Sequence, residues 1–175
     1  MGLLEPDGRD RRPVRRTALS PDATGDPAFV VHSLAHAAAA LAAAAETGTA
    51  IMLLSAPGAA FYAGPGWWRE LVRAARAEAP SARYTALLDC GDDAGAAQGA
   101  IRAGVEAIVF TGRPDVAERL TDIAAQSGSR LFAERPEPAL DLADLFFADP
   151  ETLRRRCTAA LVQRPPASRA RMCST

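Results

Sequence analysis

The sequence contains no lysine, because all 20 of its basic residues are arginine. A Schiff-base enzyme needs a lysine amine that attacks the carbonyl carbon of its substrate. A Walker P-loop needs a lysine on the phosphates of its nucleotide. The absence of lysine therefore excludes both mechanisms for these 175 residues.

Paired cysteines, long apolar runs and a large net charge are also absent. Cys90, Cys157 and Cys173 form no CxxC pair and are odd in number, so neither a disulfide framework nor a zinc site is indicated. The alanine-rich run from Ala35 to Ala45 is too short to cross a bilayer. A net charge of -1 argues against a nucleic-acid or membrane-surface partner. We therefore expect a soluble, cytoplasmic protein.

The composition divides the chain into three parts. Residues 1–27 are rich in Arg, Asp, Pro and Gly and predict a disordered arm. Residues 164–175 predict a flexible tail. Between them, residues 28–163 are expected to form one α/β domain.

Within that domain, short apolar runs alternate with segments of helical periodicity. The predicted strands are AFVV, AIMLLSA, YTALLDC, EAIVFTG and RLFAE. Strands that are apolar on both faces and followed by helices indicate a parallel sheet. We predict about five parallel strands with helices on both faces, a flavodoxin-like three-layer sandwich. The alternative is a partial TIM-type barrel, which would pair with another copy of the chain as a homo-oligomer.

Both architectures gather functional groups at the carboxyl ends of the strands. The candidate residues there fall into two groups, those that could do acid/base chemistry and those that could bind an anion. Asp89 and His32 are the catalytic candidates, and the ligand-binding candidates are Ser33, Ser55, Gly58, Thr111, Gly112 and Arg113.

Three carboxylates follow the third predicted strand, at Asp89, Asp92 and Asp93. Clustered carboxylates suit a divalent cation such as magnesium. For Asp92 and Asp93 we favour a different role, in which these residues cap the next helix. Cys90 is expected to be a buried, unreactive thiol, because no cysteine-enzyme signature surrounds it.

From about His36 to Arg130, the succession of AAAALAAAAETGTAIMLLSAP, LVRAARAEAPSARYTALLDCGD and AIRAGVEAIVFTGRPDVAERLTDIAAQSGSRLF resembles the early repeats of the 2-keto-3-deoxy-6-phosphogluconate aldolase type of barrel. That resemblance implies a (βα) barrel and an aldolase. The family uses a lysine on a later strand and a glutamate with an arginine at the second strand end. This chain has no lysine and carries Ser55-Ala56-Pro57 at that place.

A weaker resemblance is to response-regulator receiver domains. Asp89, Thr111 and Arg135-Pro136 match the aspartate, the hydroxyl residue and the Lys-Pro of that family. His32 and Ser33 stand where its magnesium-binding acids would be, which implies a degenerate receiver.

The departures from both families lead to the functional prediction. We expect a non-catalytic or degenerate protein that binds a small anionic ligand or a protein partner at the strand ends. One alternative is a lyase or isomerase that acts on a sugar phosphate or keto acid without a Schiff-base lysine. The other is a pseudo-receiver regulatory module.

Overall fold

A computed structural model describes residues 25–163 of the chain. The predicted tail at 164–175 and all but the last three residues of the predicted arm at 1–27 lie outside this range. No helix among the described residues is long and apolar enough to cross a membrane.

The strands form one parallel sheet. Their bounds are β1 Ala28–Val31, β2 Ile51–Ser55, β3 Tyr84–Asp89, β4 Ala107–Val109, β5 Arg130–Phe132 and β6 Pro138–Asp141. The spatial order is β5-β4-β3-β2-β1-β6. Successive strands from β1 to β5 therefore lie side by side, and β6 pairs with the free edge of β1.

Six α-helices of the described residues connect or follow these strands, and a 3₁₀ helix at Ala143–Leu145 follows β6. Their bounds are α1 Leu34–Thr47, α2 Ala59–Tyr62, α3 Gly64–Glu78, α4 Ala94–Arg102, α5 Pro114–Gln126 and α6 Pro150–Val162. The start and stop signals in the sequence explain several of these bounds. Ser33 caps α1 by accepting a hydrogen bond from the His36 amide, and Gly48 ends that helix in the left-handed conformation (φ 65°). Asp93 caps α4 as predicted.

The prediction of an α/β fold with a parallel sheet is confirmed, but the helices are not divided between its two faces. The five long helices pack in one continuous layer in the order α6-α1-α3-α4-α5. From β1 to β5, each new strand is added to the same edge of the sheet. Right-handed crossovers between such strands place all the connecting helices on one face of the sheet. This arrangement is that of the partial-barrel alternative.

The sequential strand order also corrects the receiver resemblance. In a flavodoxin-like or receiver sheet the first strand lies between the second and the third. Here β1 lies between β2 and β6. The regulatory alternative based on a receiver fold is therefore wrong.

The strand β6 was not expected from the sequence. Its first residue is Pro138, and a proline inside a short apolar segment argues against a strand because it cannot donate to the ladder. The structure tolerates Pro138 because β6 is an edge strand, paired only with β1 among the described residues.

The sheet buries apolar side chains on both faces. The face toward the helices includes Phe29, Leu53 and Leu88, which pack with Trp68 of α3. The other face carries a separate cluster of seven buried residues and the partly buried Phe132. Its buried members are Ala28, Val30, Met52, Leu54, Leu87, Ala107 and Val109. Such a second apolar face is typical of the filled interior of a barrel wall.

Candidate functional site

All six strands run in the same direction, so their carboxyl ends meet along one edge of the sheet, here called the carboxyl edge. It comprises the residues that directly follow β1 to β6 and the last residue of each strand. In α/β proteins with parallel sheets this edge carries the ligand-binding and catalytic groups.

Asp89 is the last residue of β3, and its side chain is only 4% exposed. The amides of Gly58 and Gly91 both donate to its Oδ1, with N···O distances of 2.8 and 2.9 Å. Gly58 has φ 65°, a conformation that glycine adopts without strain and that directs its amide at the carboxylate. Buried carboxylates need such partners because unpaired charge is costly away from water.

Arg135 supplies the positive charge beside Asp89. It lies in the segment between β5 and β6 and donates through Nη1 to Oδ2 of Asp89. Its Nη2 donates to the carbonyl of Ser55 at 2.9 Å. The Arg135 side chain therefore spans the ends of β2 and β3 and joins them electrostatically.

Ser55, a predicted ligand-binding residue, is part of the same network. Its Oγ accepts a hydrogen bond from the Asp89 amide at 2.9 Å, and its hydroxyl donates to the Ala56 carbonyl at 3.1 Å. Because its one proton is used within the protein and the residue is fully buried, Ser55 positions Asp89 rather than facing a ligand.

A second polar pair lies at the ends of β1 and β6. Nε2 of His32 and Oδ1 of Asp141 are 2.7 Å apart, and the same Oδ1 accepts from the Ala143 amide at 2.9 Å. Partial burial works to raise the pKa of the Asp141 carboxyl. The hydrogen bonds from His32 and Ala143 and the charge of Arg135 outweigh this effect, so its pKa lies below the ordinary value of 3.8.

His36 lies beneath this pair and is fully buried. Its Nδ1 accepts a hydrogen bond from the His32 amide at 3.2 Å, which assigns the ring proton of the neutral form to Nε2. Among the described residues Nε2 makes no hydrogen bond of good geometry, although the Leu145 backbone lies near enough to act on the ring. Burial lowers the pKa of His36 below 6.5, although the Leu145 carbonyl partly offsets this. His36 is therefore a neutral ring that holds the backbone of His32.

The remaining candidates do not join either pair. Ser33 is occupied as the cap of α1. Thr111 is exposed near the start of α5. Arg113 makes a bidentate ion pair with Asp115 of α5, with both N···O distances at 3.0 Å. Gly112 is constrained by packing, because a Cβ there would lie 2.4 Å from Cζ of Phe110. The predicted anion cradle at 111–113 stays a prediction.

Within the described part of the chain, the carboxyl edge holds no cluster of side chains that would bind a divalent cation. Residues 25–163 contain no group of three or more His, Cys, Asp or Glu side chains placed to hold a metal ion. Asp93 is used as a helix cap, and both oxygens of Asp89 are bound by protein donors. Burial, and then the charges of Asp89 and Asp93, raise the pKa of the Cys90 thiol to about 12. At neutral pH this thiol is protonated and is a poor nucleophile.

Two residues of these polar pairs, Asp141 and Arg135, are absent from the site residues chosen by sequence. Asp141 ends the unexpected strand β6, and it lies 109 positions from His32 in the chain. Arg135 was noted in the sequence as part of the loop after the fifth predicted strand and as a match to the receiver family, but it was not chosen as a site residue. The sequence signal that could have identified this ion pair is a basic residue directly after the fifth predicted strand, at the same sheet edge as the aspartate that ends the third.

The strand order, the single helix layer and the polar carboxyl edge define an α/β protein of the barrel type. Residues 20–119, more than half of the chain, match the family model of class-II fructose-bisphosphate aldolase. The chain belongs to the class-II fructose-bisphosphate aldolase family.

Comparison with solved structures agrees with this fold. The chain is similar to a Coccidioides immitis protein assigned as a fructose-1,6-biphosphate aldolase, with a TM-score of 0.52 and 22% sequence identity. The similarity covers 61% of this chain and 44% of that one, so the matched part is less than half of the relative's length. No curated protein matches the sequence.

The family match corrects the functional prediction. The expectation of a non-catalytic or degenerate binding protein is wrong, and the lyase alternative fits better. The resemblance to an aldolase-type barrel is confirmed at that level, although the matched family is not the 2-keto-3-deoxy-6-phosphogluconate type.

Proposed function

We propose that this chain carries part of the site of a sugar-phosphate lyase that catalyses aldol cleavage without a Schiff base. Membership of the class-II fructose-bisphosphate aldolase family and the absence of lysine support this reading. The observation that carries it is the 2.7 Å contact between His32 Nε2 and Asp141 Oδ1 at the carboxyl edge.

Aldol cleavage needs a base for the hydroxyl proton beside the breaking bond. Asp141 has a pKa below 3.8 and is charged at neutral pH, so it favours the His32 tautomer that carries its proton on Nε2. Nδ1 of His32 then bears the free lone pair. His32 remains partly exposed, and this allows a ligand to reach its ring.

The substrate class proposed is a ketose bisphosphate such as fructose 1,6-bisphosphate. In its open form, the proton of the C4 hydroxyl moves to Nδ1 of His32 while the C3–C4 bond breaks. The electron pair of that bond moves toward the C2 carbonyl oxygen, and glyceraldehyde 3-phosphate leaves. His32 then returns the proton to C3 of the enediolate, which yields dihydroxyacetone phosphate.

A phosphate group of this substrate would lie at the start of α5. Backbone N–H groups at a helix N-terminus and the Thr111 hydroxyl can bind a phosphate oxygen. Arg113 would release Asp115 and bind the phosphate instead, because a guanidinium forms the same paired hydrogen bonds with a phosphate as with a carboxylate.

Steady-state cleavage of fructose 1,6-bisphosphate, measured by release of triose phosphate, tests this proposal. His32→Gln keeps a polar side chain but removes the base, so we expect kcat to fall by about 10²–10⁴. Asp141→Asn is expected to lower kcat as well, because the amide no longer fixes the tautomer of His32. Asp122→Asn, an exposed change on α5, is the matched control.

Wild-type protein that releases no triose phosphate from fructose 1,6-bisphosphate or related ketose phosphates contradicts the proposal. Equal kcat in the His32 variant and in the wild type contradicts the role of His32.

A further inference from the structure

The proposed cleavage places negative charge on the carbonyl oxygen of the substrate. An enzyme can stabilise such an oxygen with a lysine-derived imine, with a metal ion, or with fixed hydrogen-bond donors. The chain has no lysine. The choice is therefore between a metal ion and fixed donors.

A metal ion finds no ligand set at this edge within residues 25–163. Asp89 ends β3 at this edge, but its oxygens already accept hydrogen bonds from two backbone amides and a guanidinium. The neighbouring Cys90 side chain is buried in the apolar cluster on the helix side of the sheet. Asp141 accepts from His32 and from the Ala143 amide through one and the same oxygen.

The guanidinium of Arg135 is a fixed cation at the carboxyl edge. It is fixed from two sides, by the carboxylate of Asp89 and by the Ser55 carbonyl. These contacts use two of its five N–H groups, and its side chain is 23% exposed. Donors therefore remain for a ligand, and their direction is set before the ligand binds.

Arg135 also lies beside the proton-transfer pair. Its Nη2 contacts the carbonyl of Ser55, and Ser55 is paired across the sheet with Val31, the residue directly before His32. Asp141 in turn touches His32 at 2.7 Å. The fixed cation and the base therefore lie at neighbouring strand ends of the carboxyl edge.

We infer that Arg135 takes the place of a metal ion at this site and binds the carbonyl oxygen of a keto-sugar phosphate. This inference rests on the proposed function. As the C3–C4 electron pair moves to the C2 oxygen, an Arg135 N–H shortens its hydrogen bond to that oxygen. No proton leaves Arg135, because His32 alone takes and returns the proton. Asp89 is the positioning residue that keeps the guanidinium in place.

Calorimetric titration of dihydroxyacetone phosphate tests the inference without relying on turnover. The wild type is titrated in excess EDTA, in ZnCl₂ and in MgCl₂, and we expect the same Kd in all three. Because Arg135→Gln alone leaves Asp89 charged and unpaired, the informative variant is the double change Asp89→Asn with Arg135→Gln, which removes both charges. Circular dichroism checks that this variant folds. Arg73→Gln, which removes an exposed arginine paired with Glu70, is the control.

We expect the double variant to bind dihydroxyacetone phosphate at least tenfold more weakly and to lose kcat by about 10²–10³, as when an oxyanion donor is removed. Binding that disappears in EDTA and returns with metal overturns the inference, as does wild-type affinity in a folded double variant. Metal-dependent cleavage leaves the proposed function standing while this inference fails. Metal-independent binding that depends on Arg135, without cleavage of any ketose phosphate, supports this inference and contradicts the proposed function.

Discussion

Breaking the Asp89–Arg135 pair from either side should destabilise the fold far more than breaking an exposed pair. Asp89 is 4% exposed. Arg135→Gln therefore leaves a buried carboxylate that keeps its hydrogen bonds from two backbone amides but has no cation beside it. Asp89→Asn leaves the guanidinium facing an amide. Removing one partner of a buried pair costs about 3–5 kcal/mol, because the remaining charge is uncompensated.

The double change removes both charges, and its cost should therefore be smaller than the sum of the single costs. We expect a coupling free energy of about 2–3 kcal/mol, the upper part of the range for residues in direct contact. Urea denaturation of the four proteins, followed by circular dichroism, gives the coupling. The same cycle on the exposed pair of Glu70 and Arg73 should give about 0.3–0.5 kcal/mol. Equal coupling in the two cycles would refute the claim that the carboxyl edge holds a fixed cation paired with a buried carboxylate.

Three further predictions concern single residues. The Cys90 thiol, with a pKa of about 12, should resist iodoacetamide at pH 8 in the folded protein and react after unfolding; peptide mapping that finds it alkylated in the native state contradicts its burial. His36 has a lowered pKa, so the unfolded state binds more protons than the folded state as the pH falls below 6.5. The free energy of unfolding should drop there in the wild type but not in His36→Asn, and parallel pH curves in urea denaturation would show that another group is responsible. Gly112→Ala places a Cβ against the ring of Phe110 and should lower the free energy of unfolding by about 1–3 kcal/mol. Gly99→Ala lies inside α4 with open space around it and should stabilise the protein. A Gly112→Ala variant with the thermal stability of the wild type would argue against this packing.

Much of the secondary structure follows from local sequence signals. The apolar runs of β1 to β4 are bounded by polar or glycine-containing segments, and the cap at Ser33 and the glycine at position 48 limit α1. These signals act over a few residues, and a reader of the sequence can recognise them without the fold. The position of the helices on one face could not be read in this way, because it depends on the spatial order of the strands.

The site was only partly predictable for the same reason. Asp89 was recognisable because a carboxylate that ends an apolar strand needs a partner. Its partner Arg135 lies 46 positions later, and the partner of His32 ends a strand that begins with proline. A contact between distant segments leaves no local pattern. The pair at His32 therefore emerges only when β6 is seen beside β1.

Exchange of the C3 hydrogen of dihydroxyacetone phosphate in D₂O, followed by proton NMR, tests the central claim most directly. It observes proton transfer between His32 and the enediolate carbon without requiring cleavage. The account predicts that the wild type catalyses exchange in excess EDTA and that His32→Gln slows it about a hundredfold or more. Exchange at the wild-type rate in a folded His32→Gln variant, or no exchange in the wild type, would contradict the account.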